Sequence, residues 1–308
     1  MPSLRVLLVA DSHIGLDLPR RPRIARRRRG HDFLASFTRA LAPARRGEVD
    51  LVVHGGDLLY RSRVPAELVQ TAMAPLLDVA ERGVPVFLVP GNHERSAIPY
   101  PLLVRHPGVH VFDRPRCYDL PHHGASLLGW PFHRRAGHNF DALMKQTGWV
   151  RGSSPLNLLC LHQAVEGARV GTQDFEFRYG HEVIRRRDLA RQGLTAVLSG
   201  HIHRGQVLRA GETPVLYPGS VERTSLAERL EPKGYLRLRI TPERVTWRFV
   251  ELPARPMVCL EAHQLDRLAT LDPNAVVRVR PGDRPLTAAG LRARVPGTMN
   301  IDLVRPVR

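Results

Sequence analysis

The sequence is poor in cysteine and in long apolar runs. Its three cysteines, Cys117, Cys160 and Cys259, lie far apart and form no Cys-x-x-Cys pair. An odd number of scattered cysteines argues against a disulfide framework and a thiolate zinc site, and it fits a reducing cytoplasm. No run approaches the roughly 18 apolar residues of a membrane span, since even Leu4–Ala10 is interrupted by Arg5. We therefore expect a soluble cytoplasmic protein with no membrane partner.

The sequence is also poor in lysine, although it is strongly basic. Lys145 and Lys233 are its two lysines, and arginine supplies the rest of the 46 basic residues, against 29 acidic ones. A formal net charge of +17 attracts polyanions, and basic groups that neutralise phosphates release counterions from nucleic acid. The charge favours a polyanionic substrate, with a generally basic surface as the alternative.

Short apolar runs that predict buried strands recur along the chain, and helical patterns separate some of the early runs. One amphipathic helix is predicted from about Asp32 to Leu41. A second is predicted from Pro65 to Gly83, and Pro75 should kink or split it. Strands that alternate with helices early, and follow one another closely later, indicate a layered α/β sandwich.

The pattern changes near Glu251. The segment Leu252–Pro256 carries two prolines, and a weaker succession of strands and helices follows it. We therefore predict two domains, a sandwich at residues 1–252 and a small second domain at residues 253–308.

Five predicted strands end in polar residues of types that bind metal ions. The five exits read Asp11-Ser12-His13, His54-Gly55-Gly56-Asp57, Gly91-Asn92-His93-Glu94, His162-Gln163 and Gly200-His201-Ile202-His203. In α/β sheets, ligands and catalytic groups gather beyond the carboxyl ends of the strands, because the loops there converge. Each exit alone is weak evidence, since a lone Asp-x-His is usually surface decoration. All five in this order, each after an apolar strand, predict one shared site.

The residue types suit a site for two divalent cations. Hydrolysis of a phosphoester brings hydroxide to an anionic phosphorus, and two cations about 3.5–4 Å apart reduce that repulsion and activate a bridging water. Asp57 is a single carboxylate able to bridge two ions, and Asn92 offers a neutral oxygen. Imidazole mixed with carboxylate favours manganese, iron or zinc over calcium or magnesium. We predict two divalent ions, with Mn²⁺ as the first candidate and iron or zinc as alternatives.

The five motifs together resemble those of the calcineurin-like metallophosphoesterase superfamily. This resemblance implies a four-layer αββα sandwich with the dinuclear site between two sheets. The implied ligands are Asp11, His13, Asp57 and His203 for one ion, and Asp57, Asn92, His162 and His201 for the other. His93 would face the scissile phosphate instead of binding metal, and would stabilise charge or protonate the leaving oxygen.

Further residues are similar to the DNA repair exonuclease branch, the SbcD-type nucleases that act beside an SMC-like ATPase. Ala10–Gly15, and Tyr217–Ser220 followed by Arg223 and Glu228, carry this similarity. It implies DNA as substrate, an SMC-like ATPase or a second copy of the chain as partner, and a small α+β capping domain at the C-terminus. The ATPase-binding segment of the branch would follow Arg308, so either the sequence is truncated or that partner is absent.

Two further features concern DNA. The arginine run that ends in Arg26, Arg27, Arg28 and Arg29 follows the first ligands closely. It is a candidate for holding DNA phosphates, with a solvated loop as the alternative. Tyr60, a second candidate for substrate binding, stands where many members of the branch carry a histidine that positions DNA, which leaves the direction of exonuclease action open.

The sequence thus predicts a metal-dependent phosphoester hydrolase, and within that class a two-metal-ion phosphodiesterase that is a DNA exo- or endonuclease of the repair type. A phosphatase or phosphodiesterase that acts on a small phosphoester is the alternative, and a narrow pocket without a basic groove would favour it. A nucleic-acid-binding scaffold that has lost turnover is the third reading.

Overall fold

The computed structural model describes residues 3–18, 28–94, 106–171, 174–283 and 285–304. These ranges contain six α-helices and seventeen strands. The helices are α1 (Gly30–Ala40), α2 (Ala42–Arg45), α3 (Ala66–Glu81), α4 (Ala136–Gln146), α5 (Arg186–Ala190) and α6 (Ala288–Arg292). The strands are β1 (Leu4–Val9), β2 (Leu51–His54), β3 (Val86–Leu88), β4 (Val109–Val111), β5 (Arg116–Leu120), β6 (Ala125–Gly129), β7 (Leu156–Leu161), β8 (Arg169–Val170), β9 (Phe175–Glu176), β10 (Ala196–Ser199), β11 (Gln206–Ala210), β12 (Thr213–Tyr217), β13 (Gly234–Ile240), β14 (Val245–Glu251), β15 (Met257–Glu261), β16 (Val276–Arg280) and β17 (Asn300–Leu303). Short 3₁₀ helices cover Pro121–His123, Leu226–Glu228 and Ala262–Thr270.

The first sheet has the strand order β14-β13-β1-β2-β3-β4. Strands β1 to β4 run parallel, and β13 pairs antiparallel with β1, with Leu4 opposite Ile240 and Leu8 opposite Leu236. Apart from Arg5, every residue of β1 is buried. A near-continuous apolar run of this kind is typical of a parallel strand that is covered on both faces.

The second sheet has the order β11-β12-β10-β7-β6-β5. Its four inner strands run parallel, and the two edge strands β11 and β5 are antiparallel to their neighbours. All residues of β7 and β10 are buried. The inner strands of this sheet are therefore also covered on both faces.

Alternate residues of β1 face different layers. Val6 and Leu8 pack between the two sheets, in a core that they share with Leu158 of β7. Leu7 and Val9 point the other way, into a core that the first sheet shares with α1 and α3. A third core joins the outer face of the second sheet to α4 and α5. Helices, sheet, sheet and helices therefore stack in four layers, which confirms the predicted αββα sandwich.

Helix α3 continues through Pro75 from Ala66 to Glu81. The proline removes one backbone donor from the helix. Leu76 and Val79 nevertheless bury one face of the helix in the core of the first sheet. Tertiary packing supplies most of the stability of protein helices, so the split that the sequence allowed does not occur.

The chain after β14 forms a smaller unit with its own core. Strands β15, β16 and β17 make a parallel sheet, and Leu260, Val277 and Leu291 contribute to the apolar cluster beside it. Arg255 attaches this unit to the sandwich, because its Nη1 lies 2.9 Å from an Asp32 carboxylate oxygen. The division into two domains and the capping role of the second remain proposals. In the described parts of the chain no helix has the length and apolar character to cross a membrane.

The packing between the sheets gives the first prediction. Phe87 is fully buried in the core between the two sheets, so Phe87→Ala should lower the free energy of unfolding by about 3–5 kcal/mol. Urea denaturation would measure it. The matched control is Phe175→Ala, whose side chain is exposed and which should change stability by no more than about 0.5 kcal/mol. Equal losses in the two variants would contradict the assignment of this core.

Candidate metal centre

The exits of β1, β2, β3, β7 and β10 meet at one edge of the sandwich. The Asp11 amide donates to the Gly56 carbonyl at 2.9 Å, and the His13 amide donates to the Asp57 carbonyl at 3.0 Å, which joins the β1 and β2 exits. Across the sheets, a Cβ atom on Gly55 would lie 2.8 Å from the Gly200 amide nitrogen. The two sheets therefore approach each other to backbone contact, which only glycine permits at these positions.

This convergence gathers the seven predicted ligands. Three groups have ligand atoms that lie within 4.8 Å of one another, namely Asp11 with His13 and His203, His13 with Asp57 and His93, and Asp11 with Asp57 and His162. Asn92 Oδ1 lies 3.1 Å from His162 Nε2 and 2.9 Å from His201 Nδ1. Because the groups share Asp11, His13 and Asp57, they form one continuous cluster.

The backbone turns sharply at several of these residues. Asp11, His13, Asp57 and His201 have φ values of 51°, 44°, 51° and 82°. They are four of the six described non-glycine residues in the left-handed region. That region is costly for most side chains, is tolerated best by Asp, Asn and His, and clusters at functional sites. The unusual conformations therefore aim the side chains into the cluster.

Glycines make room for the ligands. Gly56 has a φ of 104°, and a Cβ atom there would lie 2.3 Å from Nδ1 of His162. A Cβ atom on Gly91 would lie 2.1 Å from Oδ1 of Asp57. Any larger residue at either position would displace a predicted ligand.

Outer contacts orient two of the imidazoles. His162 Nδ1 donates to the Gly55 carbonyl at 2.7 Å, and its Nε2 faces Asp57 at 3.3 Å. His203 Nδ1 donates to Glu228 at 3.0 Å, and its Nε2 lies 2.9 Å from His13 Nε2. Metal-binding histidines usually fix one ring nitrogen in this way, so that the other presents its lone pair to the ion.

Glu228 is itself held by a buried lysine. Lys233 Nζ lies 2.8 Å from Glu228 and 3.0 Å from Glu231, and it donates to the His203 carbonyl at 2.9 Å. Burial alone would raise the pKa of Glu228, but the hydrogen bond to His203 and the Lys233 charge lower it well below its usual value. The sequence pattern singles out Glu228 without showing this role, because the contact joins His203 to a 3₁₀ helix that lies 25 residues further along the chain.

Glu94 ties the Asp57 loop to the Asn92 loop. Its buried carboxylate accepts the amides of Asp57 at 3.1 Å, Leu59 at 2.6 Å and Gly91 at 2.6 Å. Burial and the Asp57 charge raise the pKa of Glu94 to about 8, against the effect of the amide donors. A glutamate therefore performs a structural task at this position.

The pKa values of the clustered side chains are consistent with the binding of a cation. Burial lowers the pKa of His13 and of His201 to about 3. Both rings are therefore neutral at pH 7, and each can offer a nitrogen lone pair to a metal ion. Burial also raises the pKa of Asp11 to about 6. At His162, burial alone would lower the pKa, but the charge of Asp57 and its hydrogen bond raise the pKa to about 9. Metal binding by this imidazole would therefore release a proton. Among the described residues, the buried Nδ1 of His13 has no hydrogen-bond partner. This set of carboxylates, imidazoles and an amide suits manganese, iron or zinc.

His93 and Tyr60 lie at the open side of the cluster. His93 Nδ1 contacts the Tyr60 carbonyl, its amide donates to Asp57 at 2.9 Å, and its Nε2 lies 3.8 Å from the other Asp57 oxygen. The two rings lie 6.2 Å apart, and the side chains of both are partly exposed. His93 can therefore meet a substrate, although its distances alone would also permit metal binding.

The arginine run is only partly described. Arg26 and Arg27 lie outside the described residues. Arg28 pairs with Asp17, and Arg29 contacts the Arg223 carbonyl and lies over the Phe33 ring. The fold uses Arg28 and Arg29 internally, so their contact with DNA phosphates stays a prediction.

The chain is similar in sequence to a known family and to several known proteins. The sequence pattern of the calcineurin-like phosphoesterase family matches residues 4–205. The DNA double-strand break repair protein Mre11 of Haloferax volcanii is 29% identical over 273 residues, which cover 83% of this chain and 54% of that protein. Mre11 of Archaeoglobus fulgidus is 28% identical, with 71% and 50% covered. The chain thus spans about half the length of these relatives.

The fold itself has similar solved structures. A dimetal phosphatase from Danio rerio matches with a TM-score of 0.55 and 15% identity, and the match covers 82% of this chain and 98% of that one. At this identity the likeness concerns the fold alone.

The shared carboxylate gives a prediction about metal content. Asp57→Asn should reduce bound metal from about two ions per chain to one or fewer, since both predicted sites depend on its charge. Elemental analysis after dialysis against Mn²⁺ would measure it. Asp141→Asn, at a side chain 71% exposed, serves as control. Two ions retained in the Asp57 variant would refute the predicted ligands.

The Glu228 contact gives a prediction about metal affinity. Glu228→Gln removes the charge that orients His203, and it should weaken Mn²⁺ binding by about 10- to 100-fold. Titration calorimetry would measure the affinity, with the exposed Glu212→Gln as control. An unchanged affinity would mean that Glu228 and Lys233 only stabilise the loop.

Proposed function

The chain belongs to the calcineurin-like phosphoesterase family, and from this membership we propose that it is a two-metal-ion phosphodiesterase that cleaves DNA. The observation that carries the proposal is the single cluster in which Asp57 links the ligands of both sheets, with His93 beside it. The predicted ligand sets, with Mn²⁺ preferred, belong to this proposal.

Each group in the cluster has a separate task. Bound divalent ions would offset the charge of the phosphodiester and lower the pKa of a water molecule. Asp11 and Asp57 supply the buried negative charge that holds cations, while Asn92 adds a neutral oxygen. The Tyr60 carbonyl fixes Nδ1 of His93, which leaves Nε2 to stabilise the developing charge or to give a proton to the leaving oxygen.

Several observations favour DNA over a small phosphoester. The chain carries a net charge of +17, and two relatives bear the name of a DNA double-strand break repair protein. We further propose an SMC-like ATPase or a second copy of the chain as partner, a capping role for residues 253–308, and action in the cytoplasm. The cleavage mode is left to experiment.

The test compares two substrates. In Mn²⁺, the wild-type protein should degrade end-labelled single- or double-stranded DNA faster than it hydrolyses bis-p-nitrophenyl phosphate. The labelled products also show whether cleavage starts at an end. If the protein hydrolyses the small ester at least as fast as DNA, it is a small-substrate phosphoesterase and the nuclease proposal is wrong.

A variant of His93 tests whether this residue acts in catalysis or binds metal. His93→Gln should lower DNA turnover by about 100-fold or more, the usual size of a lost general acid, while metal content stays at the wild-type level. The exposed His122→Gln is the control. Loss of metal from the His93 variant would instead make His93 a ligand, and unchanged turnover would remove its proposed role.

A further inference from the structure

A small hairpin lies in the chain between the predicted ligands His162 and His201. Strands β8 and β9 pair antiparallel, and the segments on either side of the hairpin also meet, since Val165 forms a parallel bridge with Ile184. The Gly167 amide also donates to the Phe177 carbonyl at 2.7 Å. Strand β8 begins at Arg169, a short distance along the chain from His162.

The hairpin is also attached to the segment that carries His203. Gln206 accepts the Arg169 amide at 2.9 Å through its side chain, and the same side chain donates to the Arg169 carbonyl at 2.8 Å. Arg204, which follows His203, pairs with Asp174. Residues that directly follow the predicted ligand His203 therefore hold the hairpin in place.

Two adjoining cavities form a groove along this hairpin. The inner cavity, about 540 Å³, is lined in part by Arg169, Glu176, Arg186 and Arg204. The outer cavity, about 570 Å³, is lined by Arg169, Asp174, Phe175, Glu176, Arg178 and Tyr179. Because Arg169 and Glu176 line both cavities, the two cavities adjoin each other. The groove runs from Arg204, which follows His203, to Tyr179.

The charges of the groove favour an anion. Four arginines face two carboxylates in its lining. Glu176 lies 3.7 Å from Arg169 and 4.0 Å from Arg178, and these arginine side chains are 58% and 75% exposed. Such distances are too long for strong hydrogen bonds, so both guanidinium groups keep donors free for phosphates.

The outer end of the groove exposes two aromatic rings. Phe175 is 61% exposed and Tyr179 is 90% exposed. Aromatic side chains interleaved with arginines form the platforms on which unpaired bases stack. A duplex hides the faces of its bases, so these rings suit a single strand.

We propose that this groove binds single-stranded DNA, with bases stacked on Phe175 and Tyr179 and phosphates beside Arg169, Arg178 and Arg204. The inference rests on the proposed nuclease function and gives the strand a path away from the metal centre. The groove is then a substrate-binding surface that the metal chemistry itself does not require.

Fluorescence anisotropy tests the groove on the Mn²⁺-loaded protein. The probe is a phosphorothioate oligothymidylate, chosen to resist hydrolysis. Tyr179→Ala should weaken binding by about 5- to 150-fold, the range for the loss of one stacked base, and Tyr179→Trp should restore it. Arg178→Ser should reduce the slope of log affinity against log salt by about 0.7. Trp247→Ala, at a partly exposed aromatic on β14, should change neither quantity.

Hydrolysis of bis-p-nitrophenyl phosphate distinguishes failure of the groove proposal from failure of the nuclease proposal. This reaction needs the metal centre but no groove, so every hairpin variant should keep the wild-type rate. If Phe175→Ala combined with Tyr179→Ala leaves oligonucleotide affinity unchanged while the wild type cleaves DNA, the groove proposal is wrong and the nuclease proposal stands. If the wild type neither binds nor cleaves DNA, both are wrong. A hairpin variant that loses ester hydrolysis would show that the hairpin supports the metal centre, which also overturns the groove.

Discussion

Two carboxylates, Asp11 and Asp57, are buried where the sheets meet, and the surrounding structure depends on stabilising them. An isolated buried charge is very costly. His162 lies 3.3 Å from Asp57, and the amides of His93 and His201 donate to Asp57 and Asp11. The left-handed backbone at both aspartates is tolerable because the strands around them are packed on both faces. Cations at this position would complete the compensation.

The same centre organises contacts well beyond the ligands. Glu94 holds the β2 exit against the loop that carries Asn92, and Glu228 with Lys233 holds His203 from the other side. Glu228 and Lys233 are buried charges with several partners, and removing one partner of such a pair leaves the other charge buried without compensation. Buried acidic and basic side chains outside the cluster therefore support the predicted ligands.

The large positive charge serves different purposes in different places. Arg29 and Arg255 are mostly buried and connect loops of the fold. Arg169 and Arg178 are exposed beside aromatic rings, close to the segments that carry His162 and His203. A net charge summed over the sequence cannot distinguish these cases, because only tertiary contacts decide which guanidinium groups already have partners.

The local sequence pattern predicted the part of the site that directly follows the strands. Asp11, Asp57, Asn92, His162 and His203 each follow an apolar strand, and the carboxyl ends of parallel strands meet at one edge, so sequence alone predicted that they gather. The four layers followed from the family resemblance. Tertiary structure decided the other contacts around the site, because the Glu228–Lys233 pair and the contacts of Arg29 join segments that share no sequence pattern. It also decided the length of α3, since burial against the core of the first sheet keeps this helix continuous across Pro75. The sequence also could not predict that Phe175 and Tyr179 are exposed. The type of an aromatic residue does not determine whether its side chain is buried in a core or exposed to solvent.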